Sequence, residues 1–144
     1  MSDFPATLTE AMATEPLWLS AWLGVLGGTH LIAIFFTVYK DDQGWGFRWE
    51  PLAILGCFAL AGFIMNAMYT HYGYVRFLGM GHLIGWAPIY GWMIFKRSSI
   101  GFSTVWGKYV HWYLLIAGIS LVIDAVDVIR YLVGDDGSLY LRHS

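Results

Sequence analysis

Four long apolar segments constrain the fold of this chain more than any other feature of its sequence. They cover residues 17–39, 51–70, 75–95 and 109–133. Each has the ~20 residues that an α-helix needs to cross a hydrocarbon layer of about 30 Å. Only 12% of the residues are charged and 58% are hydrophobic, whereas roughly 25% are charged in an ordinary soluble domain. The sequence therefore predicts an all-α integral membrane protein built as a four-helix transmembrane bundle.

Lysine and arginine are unevenly distributed between the loops, and this predicts the orientation of the chain. The loops after the first and third segments hold five of them: Lys40, Arg48, Lys96, Arg97 and Lys108. The opposite side holds two or three, and cytoplasmic loops are usually the richer in Lys and Arg. We therefore expect short tails at residues 1–16 and 135–144 and a multi-pass membrane domain at 17–134. Both termini are expected on the outer, periplasmic or extracellular, side of an inner or plasma membrane.

Two aspartates interrupt the last apolar segment, in the stretch GISLVIDAVDVIRYLVGDDG. Asp124 and Asp127 lie three residues apart and therefore share one helix face, and Arg130 follows one turn later. An ionised carboxylate in hydrocarbon costs several kcal/mol. We therefore expect both carboxyl groups to face the bundle interior, with Asp127 paired with Arg130 or His82.

Other apolar segments place polar side chains at similar depths. Counted at about 1.5 Å of rise per residue, Asn66, His82 and Asp127 fall about 8–10 Å below the outer boundary. Asp124 falls at about 15 Å and His30 at about 20 Å by the same count. The sequence thus predicts a polar pocket in the outer half of the bundle. Its expected members are Asn66, His82, Asp124, Asp127, Arg130 and His30.

Glycine pairs at helical spacing predict close contacts between helices, because small residues let helix backbones approach each other in a membrane. Gly24 and Gly28 form one pair in the first segment, and Gly81 and Gly85 form another in the third. A stripe of small or weakly polar residues follows one face of the second segment: Ala59, Gly62 and Asn66.

Three functions are compatible with the predicted pocket. In the first, the polar side chains form a structural network, and the protein is an accessory or assembly subunit of a larger membrane complex. Intramembrane hydrogen bonds commonly join helices, and the small size of the chain fits this function. The expected partners are the lipid bilayer and either other membrane subunits or further copies of the chain. No sustained basic patch occurs, so nucleic acid is not an expected partner.

In the second function, the pocket binds a proton, a small ligand or a metal ion. Histidine nitrogen and carboxylate oxygen are common ligands of zinc and iron, so the candidate metal ligands are His82, Asp127 and Asp124. A metal-dependent membrane enzyme is one form of this hypothesis. The sequence assigns no catalytic residue, and no His-x-x-x-His or Glu-x-x-His pair lies on one helix.

In the third function, histidine binds haem or a pigment. A bis-histidine haem needs two imidazoles that face each other at matched depth. No two of His30, His82 and His111 are closer than about 9 Å in estimated depth. This leaves a single axial histidine as the form of haem or pigment binding that the sequence allows.

Overall fold

The computed structural model describes residues 5–135 and residue 137. Most of this part of the chain is helical. The helices are α1 (Leu8–Ala13), α2 (Leu17–Ile32), α3 (Glu50–Tyr72), α4 (Gly79–Ile100) and α5 (Val105–Leu132). A 3₁₀ turn follows α2 at Ala33–Phe36, and another precedes α4 at Arg76–Leu78. The prediction of a mostly helical chain is confirmed.

Three helical stretches in the described residues are long and apolar enough to cross a membrane. The first is Leu17–Phe36, which consists of α2 and the 3₁₀ turn that follows it. The other two are α3 and α5. Helix α4 has 22 residues but is less apolar, because it contains His82 and ends with Lys96 and Arg97. The three apolar helices fit a location in a membrane.

The loop after α2 contains a β-hairpin that the sequence analysis did not predict. Its antiparallel strands are β1 (Val38–Asp41) and β2 (Gly44–Phe47). Gly44 has a φ of 120°, which favours glycine because a side chain would be strained there. The amide of Gln43 donates to Oδ1 of Asp41 at 2.9 Å and fixes the turn. The first membrane helix is therefore shorter than the sequence predicted.

Helix α4 packs between α3 and α5, and its glycines permit close approach on both sides. A Cβ atom at Gly85 would lie 2.7 Å from Cα and Cβ of Ala61 on α3, and one at Gly81 would meet the side chain of Met65. A Cβ atom at Gly79 would lie 3.1 Å from the backbone of α5. The close contact predicted for Gly81 and Gly85 is confirmed, and its partner is α3.

Helix α2 is tied to α5 near its own C-terminal end. The Tyr109 hydroxyl donates to the carbonyl oxygen of Thr29 at 2.9 Å, and the Trp112 indole donates to the Thr29 hydroxyl at 3.0 Å. A Cβ atom at Gly24 or Gly28 would have nothing within 4 Å. The close helix contact predicted for this glycine pair is therefore wrong.

The hydrophobic core lies along α3, α4 and α5, in the half where α5 begins. Its largest fully buried apolar and aromatic side chains are Ile54, Met93, Val110 and Tyr113. The opposite half, where α2 begins and α5 ends, contains Asp124, Asp127 and Arg130 of α5.

Helix α1 lies at this opposite end. Its Thr7 hydroxyl accepts the amide of Glu10 at 3.2 Å, and the Glu10 carboxylate accepts the amide of Ala6 at 2.9 Å, an arrangement that resembles a capping box. The hydroxyl of Tyr69 donates to the Pro5 carbonyl at 2.6 Å. This contact ties the segment before α1 to the end of α3.

Candidate ligand-binding site

A cavity of about 790 Å³ lies between the first half of α2 and the second half of α5. Trp18, Leu19 and Trp22 of α2 line one side, and Ile119 and Ile123 of α5 line the other. The turn before α4 and the first residues of α4 complete the wall. The cavity is mostly apolar and falls within the roughly 300–1,000 Å³ of typical small-molecule pockets.

Part of the cavity wall is polar, and five side chains form what we call the polar cluster: Arg76, His82, Ser120, Asp124 and Asp127. The turn before α4 supplies the arginine, α4 the histidine, and one face of α5 the other three. Those three share a face because they are spaced by three or four residues. The cluster therefore contains three members of the predicted pocket: His82, Asp124 and Asp127.

His82 and Asp124 form a hydrogen-bonded pair that joins α4 to α5. Nδ1 of His82 lies 2.7 Å from Oδ2 of Asp124, and the two side chains are 13% and 15% exposed. The Ser120 hydroxyl donates to the same oxygen at 3.5 Å. Because Nδ1 donates to a carboxylate, Nε2 is the ring nitrogen left for another partner. The pair fixes the orientation of the imidazole at the cavity wall.

Asp127 pairs with Arg76, and the predicted pairing with Arg130 or a histidine is wrong. Nη1 of Arg76 lies 2.6 Å from Oδ1 of Asp127, and the arginine side chain is only 7% exposed. Arg130 instead binds Asp135 through Nε at 2.8 Å and Nη2 at 2.6 Å. The prediction failed because it considered partners on α5 or at matched depth, whereas the turn before α4 brings in an arginine from 51 residues away.

Asp135, which lies beyond the end of α5, contacts both Arg76 and Arg130. Its Oδ1 lies 3.5 Å from Nε of Arg76, an ion-pair distance rather than a hydrogen bond. The hydrogen bond from Arg130 lowers the pKa of Asp135 below its usual value. Two carboxylates, Asp127 and Asp135, therefore share the charge of Arg76.

His30 lies apart from the polar cluster, so its predicted place in the pocket is wrong. The residue is 0% exposed, and its Nδ1 donates to the Leu26 carbonyl at 2.7 Å. Its ring stacks on Phe58 and Trp86, with centroids 4.7 and 4.6 Å apart. His82 stacks on the same indole at 4.0 Å. A fully buried imidazole among aromatic rings has no space beside it for a porphyrin.

Asn66 and Arg130 also lie outside the cavity wall. Asn66 is on the exposed side of α3, whereas the preceding Met65 lines the cavity. Neighbouring helical residues differ by about 100° in direction, so a depth count alone cannot place a side chain on the correct face. Arg130 is exposed and directed to the ion pair with Asp135.

The metal hypothesis gains no support from this arrangement. In residues 5–135 and 137, no group of three or more His, Cys, Asp or Glu side chains could hold a metal ion. Of the predicted ligands, His82 and Asp124 bind each other, whereas Asp127 binds Arg76.

Arg76 is the residue of the polar cluster whose role the sequence analysis missed. The available signal was an arginine two residues after the turn HYGY, at the same end of the helices as the last aspartates. Comparison of the chain with known protein families, characterised proteins and solved structures gives no match. The class of protein is therefore defined by its helices: a mostly helical chain with three helices able to cross a membrane.

Proposed function

We propose that the chain crosses the membrane four times, with both termini outside. In this topology α4 spans the membrane in addition to α2, α3 and α5. Support comes from the packing of α4 between two apolar helices, where the side chain of its His82 is only 13% exposed. The Lys96–Glu50 ion pair, at 3.1 Å, joins the end of α4 to the start of α3. The same end carries the loops rich in Lys and Arg, which are typical of the cytoplasmic side.

Cysteine labelling tests this topology in a Cys57→Ala background. A cysteine at Gln43 in the hairpin is expected to react with a membrane-impermeant maleimide only after the cells are permeabilised. A cysteine at His71, exposed at the end of α3, is expected to react in intact cells. Labelling of both positions in intact cells would contradict the topology.

The function that the geometry supports best is the binding of a small, mostly apolar ligand with a polar group, in the cavity between α2 and α5. This proposal rests on the composition of the cavity wall. Side chains of α2 and α5 make most of the wall apolar, and a compact set of partly buried polar groups lies on one side. Ligand sites typically combine a hydrophobic lining with a few convergent polar groups. The protein is then an intramembrane ligand-binding protein.

A neutral fluorescent probe, N-phenyl-1-naphthylamine, tests this function with the full chain in lipid nanodiscs. Saturable binding above that of protein-free discs is expected. The Ile119→Phe/Ile123→Phe variant adds bulk to the cavity wall and is expected to weaken binding by about tenfold. The matched control is Ile129→Phe, because Ile129 is exposed on the same helix and lies off the cavity wall. Equal binding by both variants and the original chain would contradict the proposal.

A second candidate function is that of a subunit in a membrane assembly, and the exposed stripe on α3 favours it. Ala59, Gly62 and Asn66 follow one face of the helix and are all exposed. A Cβ atom at Gly62 would have nothing within 4 Å. An amide that faces lipid is unfavourable, whereas small and amide side chains are typical of contacts between membrane helices. A second copy of the chain or another membrane subunit would cover this stripe.

The Asn66→Leu/Gly62→Leu variant tests the assembly hypothesis. If the stripe forms an interface, the variant is expected to reduce the particle mass in mild detergent, measured by light scattering, without lowering the melting temperature of the single chain. The control Phe63→Leu changes an exposed neighbour and is expected to leave the mass unchanged. A monomeric mass for the original chain and both variants would count against self-association.

A further inference from the structure

The cavity wall carries more negative than positive groups. Glu15, Asp124 and Asp127 line it, and Arg76 is the guanidinium on the described wall. Even if His82 is counted with Arg76 as a basic residue, the acidic side chains on the described wall are more numerous than the basic ones. Opposite charges attract more strongly in an apolar surrounding than in water, so this imbalance matters for any charged ligand.

The positive charge of Arg76 is already neutralised by the protein. Asp127 binds it at 2.6 Å and Asp135 lies 3.5 Å from its Nε. Gly137 also lies against the Arg76 side chain, because a Cβ atom at Gly137 would collide with Nε, Cγ and Cδ of Arg76. Nη2 is buried as well, so this nitrogen is not exposed to a ligand in the cavity. On the part of the wall that the structure describes, an anionic ligand would therefore meet carboxylates and no accessible cation.

Both aspartates of the polar cluster have an oxygen that the described contacts do not use. The bonds to Asp124 from His82 and Ser120 both fall on Oδ2. The bond to Asp127 from Arg76 falls on Oδ1. These partly exposed carboxylates can accept hydrogen bonds or attract a positive charge.

Two tryptophans face this acidic side within the same cavity. Trp18 and Trp22 line the wall contributed by α2. The face of an indole attracts a cation through its quadrupole, most strongly where water is excluded. Aromatic rings together with carboxylates form a wall suited to a cation with apolar substituents.

From this charge and ring arrangement we infer that the cavity binds a lipophilic organic cation, such as an ammonium or phosphonium with apolar substituents. The inference rests on the proposed ligand-binding function and specifies its ligand class. The positive centre lies near Asp124 and Asp127, and the apolar substituents contact Trp18, Trp22 and the α5 isoleucines. The charge of the wall, rather than its shape, then determines selectivity.

Tetraphenylphosphonium and tetraphenylborate test the inference, because they have nearly the same shape and opposite charge. Binding of each radiolabelled ion to the full chain in nanodiscs is measured and corrected for partition into protein-free discs. Tetraphenylphosphonium is expected to bind at least about tenfold more tightly. Asp124→Asn is expected to weaken its binding by about tenfold without weakening that of tetraphenylborate. The control Asp41→Asn, in the hairpin at the far end, is expected to change neither.

The outcomes separate this inference from the function on which it rests. If N-phenyl-1-naphthylamine binds and the Ile119→Phe/Ile123→Phe variant weakens it, but the borate binds as tightly as the phosphonium, the cation preference is wrong and the binding function stands. An Asp124→Asn variant that melts like the original chain and keeps full phosphonium affinity also overturns the preference. If neither the neutral probe nor either ion responds to the two phenylalanine substitutions, the proposed function itself is wrong.

Discussion

The Asp127→Asn variant is expected to lose about 3 kcal/mol of stability, because it leaves the guanidinium of Arg76 buried without its closest counter-ion. The arginine side chain is 7% exposed and lies 2.6 Å from Asp127. Removing one partner of a buried ion pair typically costs about 3–5 kcal/mol. We expect the lower end of this range, because Asp135 stays 3.5 Å from Nε of Arg76. Unfolding in mixed detergent micelles, with a denaturing detergent as titrant, measures the loss.

Two further variants isolate the buried pair as the cause. Arg130→Gln breaks the more exposed pair with Asp135 and is expected to lower stability much less than Asp127→Asn, because water screens an exposed ion pair. The double variant Arg76→Met/Asp127→Leu removes both charges and is expected to regain most of the lost stability, because apolar side chains of similar size can replace a buried ion pair. A larger loss for Arg130→Gln than for Asp127→Asn would contradict this assignment.

The sequence predicted the helices well because apolarity over ~20 residues is a local property. It also predicted that both aspartates of α5 face inward, since a carboxylate in hydrocarbon is costly and one helix face presents both. The close contact at Gly81 and Gly85 followed from the same kind of reasoning. Each of these conclusions depends on residues near one another in the chain.

The partners of the ionisable groups were less predictable, because they depend on how the helices rotate and pair. Depth placed His30 and Asn66 with the aspartates, but His30 stacks in the aromatic core and Asn66 faces outward. The arginine of the polar cluster is Arg76, in the segment before α4, rather than Arg130, which lies one helical turn after Asp127 on α5. A depth count gives only the position of a residue along the helix axis. Whether two side chains form a hydrogen bond also depends on their angular positions around their helices.

The hairpin and the cavity show two further limits of the sequence. The hairpin is set by turn chemistry over four residues, where a glycine adopts a φ of 120° and an aspartate accepts the turn amide. The cavity exists because α2 contacts α5 near Thr29 while its first half lines an open space. The Gly24 and Gly28 pair suggested the opposite, close packing along the whole helix.

The Gly85→Leu variant is expected to lower stability by about 3 kcal/mol, near the top of the range for overpacking. Even a Cβ atom at this position would lie 2.7 Å from Cα and Cβ of Ala61 and 2.8 Å from its backbone nitrogen. A side chain cannot avoid these atoms by changing rotamer, because the contact begins at Cβ. Helices α3 and α4 must therefore move apart, and the melting temperature in detergent measures the cost.

The matched control is Gly28→Leu, which places the same side chain on α2. A Cβ atom there would have nothing within 4 Å, so the expected change in melting temperature is near zero. The two glycines belong to identical sequence motifs, Gly-x-x-x-Gly, and differ only in what lies opposite them. Equal destabilisation by both substitutions would mean that α2 packs closely against another helix at Gly28, contrary to the open space found there. The pair of variants thus tests whether the surroundings of each glycine, rather than the Gly-x-x-x-Gly motif itself, determine the cost of a larger side chain.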